Sequence, residues 1–552
     1  MTSNADLEDG TTESGVEAAF DPAVEPGPDP AVEPGPGPAV EPATPVRPAA
    51  VRQRAALVLP TTGEFDSRTY RIASALVARG HDVVVLARWR PGLPEEERHP
   101  AGYAIRRVKV SAGAGLPLPG PVYRLISTWR LRRRERAARQ LRSGSTTTIA
   151  RTPATTAAEA APPTTTAAPP SGTSAESAPP TSAEWAPPTA VRPAAPPKPP
   201  PPPDNEEARP AGAAARGPLA RIARLPSALW RIAAIGLVVR SQSKATRRLG
   251  ETADLYHAMA YMGIPVALDL VRRTGGRTVY DARDIYMEAG NLARLPRPAR
   301  AIFGRMERRW ARRADRVITV NRPYAEVMER RFGTPLPLIV LNCSYRFDPP
   351  VPPERRFHDA LGLASGTRVV LYQGGLSRDR GIEQLIAAIP SVDRAVLVLL
   401  GYGALQAELA AIAAQPATVG RVRLLPAVPP GELLDWVACA DIVAMPIQPT
   451  TLNHRLTTPN KLFEAMAAGA AVVASDLPGM AGIVRETGCG LLVDPTDPGA
   501  IADAIRSILD APDGERLAYG ARALAAAHTT YNWERQMDVL LDEYARLTGN
   551  AW

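Results

Sequence analysis

Two short stretches carry side chains suited to holding an anionic, hydroxyl-bearing ligand. In TTPNKLFEAMAAGAAVVASDLPG, Thr457 to Gly479, Glu464 follows Pro459, Asn460 and Lys461 and lies between Phe463 and AMAAGA. A carboxylate near a helix start gains about 0.3–1 kcal/mol from the helix dipole, which is the purely structural reading. At the rim of a cleft it can also accept two vicinal hydroxyls, and a ribose supplies such a pair. In YQGGLSRDRGIEQLI, Gly374 and Gly375 end an apolar run, and Arg378 and Arg380 come just before a helix beginning at Gly381. Backbone N–H groups at a helix start, with guanidinium forks beside them, suit a diphosphate. Glycines after a strand serve a tight turn equally well. The spacing is not GxGxxG, and no acidic residue about 20 positions on stands suitably at a strand end, which argues against a dinucleotide cofactor. No pair of carboxylates has the spacing of a hydrolase double displacement.

The elements that must position these residues alternate between strand and helix. AALVLP (Ala55 to Pro60), the helix SRTYRIASALVARG and DVVVLAR form a βαβ unit, which implies a parallel sheet. The alternation resumes with DLYHA, the helix IPVALDLVRRTG, RTVYDA, a long helix ending ERRWARRAD, RVITV, YAEVMERRFG and PLIVLN. After the proline-rich FDPPVPPERR a second series begins: RVVLYQGG, GIEQLIAAIP, AVLVLLG, ALQAELAAIAA, RVRLLP, GELLDWVACA and DIVAMP, followed by the Glu464 stretch. The pattern predicts an α/β fold of two facing Rossmann-like domains, with ligands at the carboxyl ends of the strands in the cleft between them.

Composition divides the chain further. Its 552 residues and 45% hydrophobic content allow more than one core, while the 59 prolines crowd into two places. The first holds the repeat DPAVEPGP, DPAVEPGP, GPAVEPAT from Asp21 to Thr44; the second, about Ser143 to Ala215, mixes TTTIARTPATTAAEAAPPTTT with KPPPPPD. Neither can bury a core, so both are expected to be disordered. The expected organisation is a tail over 1–50, a first Rossmann-like acceptor domain over 51–142 and 216–347 interrupted by an insert over 143–215, a donor domain over 348–530 and a terminal helix over 531–552. Deleting residues 145–212 is expected to leave a folded, donor-binding protein, and loss of soluble protein on deletion would count against this. Cys343, Cys439 and Cys489 lie far apart with no CxxC spacing, which suggests neither a disulfide framework nor a zinc site and fits a reducing cytoplasm. MTSNADLEDG lacks the basic start of a signal peptide, and no run reaches about 18 uncharged apolar residues.

The stretch NKLFEAMAAGAAVVASDLPG, followed by VRETGCGLLVDPTDPGAIADAI, resembles the donor-binding domain of family 4 retaining glycosyltransferases, which have the GT-B architecture. FDSRTYRIASALVARGHDVVVLA and TVYDARDIY extend the resemblance to the first half. It implies a nucleotide-diphosphate sugar as donor, no required metal ion or other cofactor, a glycan or lipid-linked acceptor, and transfer with retention of anomeric configuration. By that resemblance Glu464 binds the ribose hydroxyls and Arg380 stands where the family places a lysine on the diphosphate. Lys461 joins them in stabilising the leaving group, with Gly374, Gly375, Arg378, Pro459 and Asn460 in the donor site and His257, in DLYHAMAYMG, on the acceptor side. The sequence departs from the family at Leu456, eight positions before Glu464, where a second glutamate is usual; at Met259, the second position of a His-x-His segment; and at Arg283, where related sequences carry histidine. A two-Rossmann sugar-nucleotide epimerase and a weakly catalytic sugar-nucleotide-binding scaffold are the alternatives.

The net charge of +9 alone would suit nucleic acid, but aromatics are only 5% and no reader motif is present, so a nucleic-acid partner is not expected. Arginines mixed with Leu, Ile and Trp flank the insert, at YRLISTWRLRRRERAARQLR and RGPLARIARLPSALWRIAAIGLVVRSQSKATRR. These read either as helix faces packed on the first sheet or as interfacial helices on an anionic membrane surface. In the second case Trp129, Trp230, Ile232, Ile235 and Leu237 enter the headgroup boundary and the protein sits at the inner face of the cell membrane.

Overall fold

The alternating apolar runs build two sheets in the computed structural model, which describes residues 52–64, 66–110 and 225–552. The tail, the whole insert and the basic stretch before it lie outside the described residues. The first sheet comprises β1 (Arg54–Val58), β2 (Asp82–Arg88), β3 (Glu96–Arg98), β4 (Ala104–Val108), β5 (Leu255–Met259), β6 (Arg277–Asp281), β7 (Arg316–Thr319) and β8 (Leu338–Ile339), in the order β3-β4-β2-β1-β5-β6-β7-β8. The second comprises β9 (Arg368–Gly375), β10 (Ala395–Tyr402), β11 (Val422–Leu425), β12 (Ile442–Met445), β13 (Ala471–Ser475) and β14 (Gly490–Val493), in the order β11-β10-β9-β12-β13-β14. Every neighbouring pair is parallel except β3 with β4. Such sheets are buried on both faces, which is why AALV, VVVL and VVLY read as continuous apolar runs rather than alternating ones.

The structure adds β3 and β4, which sequence patterning does not reveal, and shortens PLIVLN to the two residues of β8. AIRRV hides its strand behind arginines that find partners. Arg107, 3% exposed, donates to Glu97 at 2.7 Å and to the carbonyl of Thr62 at 3.0 Å, and Arg106 pairs with Glu251 at 2.8 Å. The helix expected from Ile264 starts at Ala260, directly after β5, and takes Pro265 into its second turn.

The helix Leu225–Arg247 contains Pro226 only in its first turn, where a missing N–H costs nothing. Its middle packs on the first domain rather than standing free. Ile235 lies against the buried cluster of Met287, Leu295, Ala299 and Phe303, and Gln242 donates to the Leu59 carbonyl at 2.7 Å. Ile235 is therefore a packing residue, a correction to its placement at a headgroup boundary. Among the described residues no helix is long and apolar enough to cross a membrane.

The helix Trp533–Thr548 crosses back to the first sheet. Trp533, Met537, Leu540 and Tyr544 join Leu57, Val85 and Leu255 in one buried cluster. Asn532 caps it by accepting from the Arg535 N–H at 2.9 Å.

Candidate functional site

β9 is the third strand of the second sheet, and its carboxyl end presents Tyr372, Gln373, Gly374 and Gly375 in that order. The helix Asn460–Ala467 runs beside it, and Lys461 and Glu464, three residues apart, fall on one face. Gln373 donates through Nε2 to Glu464 Oε2 at 3.3 Å, while its own Oε1 has no partner among the described residues. Lys461 is 9% exposed; its Nζ lies 3.4 Å from the centroid of the Tyr372 ring and has no hydrogen-bond partner among the described residues. The ring face gives the ammonium partial compensation. Burial pushes the Lys461 pKa well below the usual lysine range, Arg380 pushes it the same way, and Glu464 opposes them. Burial likewise lifts Glu464 above the usual carboxylate range, against the pull of Arg71, the Gln373 hydrogen bond and Lys461. Each group is thus held partly against its charged form, a state that a ligand bringing an anion to Lys461 and hydroxyl donors to Glu464 would relieve.

Arg380 precedes Gly381, the N-cap of the helix Ile382–Ala388, and among the described residues it forms no ion pair. Its positive charge lowers the pKa of Lys461 and of His454. Gly381 has φ +78°, and a Cβ there would stand 1.9 Å from the Pro446 carbonyl oxygen. Gly381→Ala is expected to destabilise the protein by about 1–3 kcal/mol and to displace Arg380. An unchanged urea midpoint would refute this.

The other sequence candidates are distributed differently. Arg378 points away from this cluster, exposed and paired with Glu408 at 2.9 Å and Glu383 at 3.9 Å. Gly374, at φ +114°, and Gly375 are exposed at the strand end. Pro459 occupies the N-cap position of the Lys461 helix, and Asn460 Oδ1 accepts from Asn342 Nδ2 at 2.6 Å, so this helix start is tied to the chain leaving the first sheet.

His257 is the middle residue of β5, not its end, and is 0% exposed. Its Nδ1 lies 2.5 Å from the Tyr544 hydroxyl and its Nε2 3.2 Å from Asp281 Oδ2. Arg68, 1% exposed, donates from Nε to the same Asp281 oxygen at 2.6 Å. Burial lowers the His257 pKa, with Asp281 opposing. His257 therefore sits inside a buried polar network and is not gathered with Lys461 and Glu464.

Residues 451–460 join the two halves. Asn453 Oδ1 accepts from the Ile285 N–H at 2.7 Å, and the Asn453 carbonyl accepts from the Tyr324 hydroxyl at 2.9 Å. Asn321 Nδ2 donates to the Leu456 carbonyl at 2.7 Å and to Thr458 Oγ1 at 3.0 Å. The Leu456 side chain packs on the first domain's buried cluster. Gly479 lets the following helix approach, since a Cβ there would meet the Thr457 oxygen at 2.2 Å and the Leu456 oxygen at 2.4 Å. Sequence reasoning missed Tyr372, Gln373, Arg71 and Asn453. A glutamine closing an apolar strand, and arginines three apart on the apolar face of SRTYRIAS, were the available signals.

A family model described as glycosyl transferases group 1 matches residues 367–511, a span that includes Arg380, Lys461 and Glu464. Those residues match the group 1 glycosyltransferase family. The chain is also similar to curated proteins. The D-inositol 3-phosphate glycosyltransferase of Xylanimonas cellulosilytica is 32% identical over 272 residues, covering 46% of this chain and 62% of its own. That of Segniliparus rotundus is 33% identical over 200 residues, covering 35% and 43%. The chain thus spans about three fifths and about two fifths of the length of these two relatives. Among solved structures, sucrose-phosphate synthase from Thermosynechococcus elongatus superposes with a TM-score of 0.58 at 18% identity over 90% of this chain and all of that one. WaaG, a glycosyltransferase involved in lipopolysaccharide biosynthesis, gives 0.50 at 15% identity over 90% of this chain. At such identities the likeness carries the fold: the chain has two parallel-sheet α/β domains arranged as in GT-B glycosyltransferases.

Proposed function

We propose that the protein transfers a sugar from a nucleotide-diphosphate donor to a glycan or lipid-linked acceptor, with retention of configuration, in the synthesis of cell-envelope polysaccharide or glycoconjugate. The observation that supports it is the Lys461–Glu464 face against the carboxyl end of β9, within the span that matches the group 1 model and with the charge of Arg380 acting on Lys461. Glu464 holds the ribose hydroxyls. Arg380 and Lys461 meet the diphosphate, whose charge restores the ammonium form of Lys461 that burial disfavours. As the glycosidic bond breaks, negative charge gathers on the phosphate oxygens, and these two fixed cations stabilise it, a contribution of several kcal/mol when preorganised. The departing phosphate takes the acceptor proton on the same face, so no metal and no dedicated base is required. Leu456, facing the first domain, offers no carboxylate to the donor sugar, which leaves sugar choice to other groups.

A thermal-shift screen of nucleoside diphosphates and their sugars tests the donor assignment. A ligand at 100 times its dissociation constant adds about 2.7 kcal/mol. Transfer is then assayed with D-inositol 3-phosphate, the compound named for the relatives, alongside glycan and polyprenyl-phosphate acceptors. Nucleoside diphosphate released only with an acceptor present favours transfer over epimerisation, and binding without any turnover favours the scaffold. The enzyme works at the cytoplasmic face of the membrane in this reading. The intact protein is expected to float with anionic liposomes at low salt, less so when Arg132, Arg133 and Arg134 become Glu. Protein left wholly in the soluble fraction would end the membrane part of the proposal.

A further inference from the structure

The helix Arg297–Ala311 carries more positive charge than its packing uses. Between Arg294 and Arg313 stand eight arginines, against which the same stretch sets only Glu307. Five guanidinium groups, four from this helix (Arg297, Arg300, Arg305, Arg308) and Arg331 from the end of the helix Arg322–Phe332, wall a cavity of about 430 Å³. Four of them recur at helical spacing on one face, where like charges repel by about 0.2–0.5 kcal/mol per pair.

Carboxylates offset this charge only in part. Arg300 and Arg331 share Glu288, each at 3.3 Å. Arg297, Arg305 and Arg308 form no ion pair among the described residues. Glu307, 4% exposed at the floor, is engaged by the Tyr280 hydroxyl, which donates at 2.7 Å, and burial raises its pKa to about 7, so at neutral pH it is only partly charged. Gly304 opens the floor, where a Cβ would meet only Met287 Cγ at 3.8 Å, and Met287, Ala301 and Phe332 supply an apolar patch. A second cavity of about 390 Å³ shares Glu288 and Arg300 and adds Thr450, Thr451 and Arg455 from the other domain.

We propose that this arginine-walled cavity binds the phosphate group of a phosphate ester, seating it among Arg297, Arg300, Arg305, Arg308 and Arg331 while the organic part lies on the Met287–Phe332 patch. Guanidinium forks match phosphate oxygens in pairs, and the volume suits a small ligand or a single headgroup rather than a folded partner. The site lies apart from Lys461 and Glu464 and does not depend on the donor assignment. The ester is either a soluble phosphorylated compound or a phospholipid headgroup.

The test uses the full chain carrying Arg380→Ala, which removes the other anion-binding arginine, with inorganic pyrophosphate as soluble probe by calorimetry and phosphatidylglycerol vesicles as lipid probe by flotation. Arg305→Ser/Arg308→Ser changes the cavity wall. Arg309→Ser/Arg313→Ser removes the same charge from non-lining positions of the same segment. The expected result is at least about tenfold weaker binding in the first pair and little change in the second. Selective loss with pyrophosphate assigns a soluble ester, selective loss with vesicles assigns a headgroup, and either supports the site. Equal loss in both pairs would show a general charge effect, and no loss with either probe would show an empty cavity. Both of these outcomes overturn the proposal.

Discussion

Glu464→Ala is expected to weaken donor binding by about 3 kcal/mol or more, because two hydrogen bonds from hydroxyls to a carboxylate are lost together and each is worth about 1.5–3 kcal/mol. That corresponds to at least about a hundredfold in dissociation constant. The fold should survive. Glu464 is half-buried, it receives a single long hydrogen bond from Gln373, and its departure removes only unbonded attractions to Arg71 and Lys461, while Arg71 keeps its donation to the Asn342 carbonyl. Titration calorimetry with the nucleoside diphosphate that scores in the thermal screen reads the affinity, and the urea midpoint reads the fold. Wild-type affinity in the variant would remove Glu464 from the site. A large loss of midpoint would instead make it a structural residue.

Arg68→Ala should have the opposite profile, severe for stability and indirect for binding. Removing Arg68 leaves Asp281, 0% exposed, with its Oδ1 already unpartnered and only His257 on the other oxygen. Breaking a buried pair on one side costs about 3–5 kcal/mol, since the remaining charge keeps its desolvation penalty. The pH dependence follows with its sign. Burial works to raise the Asp281 pKa, but Arg68, His257 and Arg283 outweigh it and hold the carboxyl below the usual range. A depressed folded pKa contributes stability that is present above the unfolded value of about 3.9 and lost as pH falls below it. Wild-type protein should therefore lose stability steeply below about pH 4, and Asp281→Asn should flatten that slope. Urea unfolding at pH 7 and pH 3.5 checks both statements; an Arg68→Ala midpoint equal to wild type would refute the first.

The sheet strands were legible because both faces are buried, so AALV, VVVL, VVLY and AVVAS needed no alternation to be recognised. β4 was not, because Arg106 and Arg107 interrupt its pattern and are satisfied by Glu251, Glu97 and the Thr62 carbonyl, partners distant in sequence. In the site, Lys461 and Glu464 share a face by local helix geometry alone; Glu464 was read from its place near a helix start, and Lys461 entered through the family resemblance. Arg378 and Arg380 did not separate in the same way. Both precede one helix, yet only the tertiary positions of Glu383 and Glu408 draw Arg378 to the surface. Gln373 and Arg71 escaped notice for the same reason, since each acts on Glu464 from an element whose approach the local pattern does not encode. His257 was visible as an unusual residue in an apolar strand, but whether such a residue faces a cleft or a buried carboxylate depends on Asp281 and Tyr544, the latter 287 residues away.

The helix Trp533–Thr548 has a consequence for how the protein is made. Its Trp533, Met537, Leu540 and Tyr544 complete the core beneath the first strands to be synthesised. During translation β1, β2 and β5 emerge long before this helix, and until it follows one apolar face of their sheet is covered only in part, by Ile72, Ala73 and Leu76 of the helix Ser67–Ala78. In the interval the nascent chain carries a partly exposed apolar sheet face, a feature that makes such species prone to aggregate. Emergence of the helix Trp533–Thr548, rather than completion of strands β1 to β8, is then the event that completes this core.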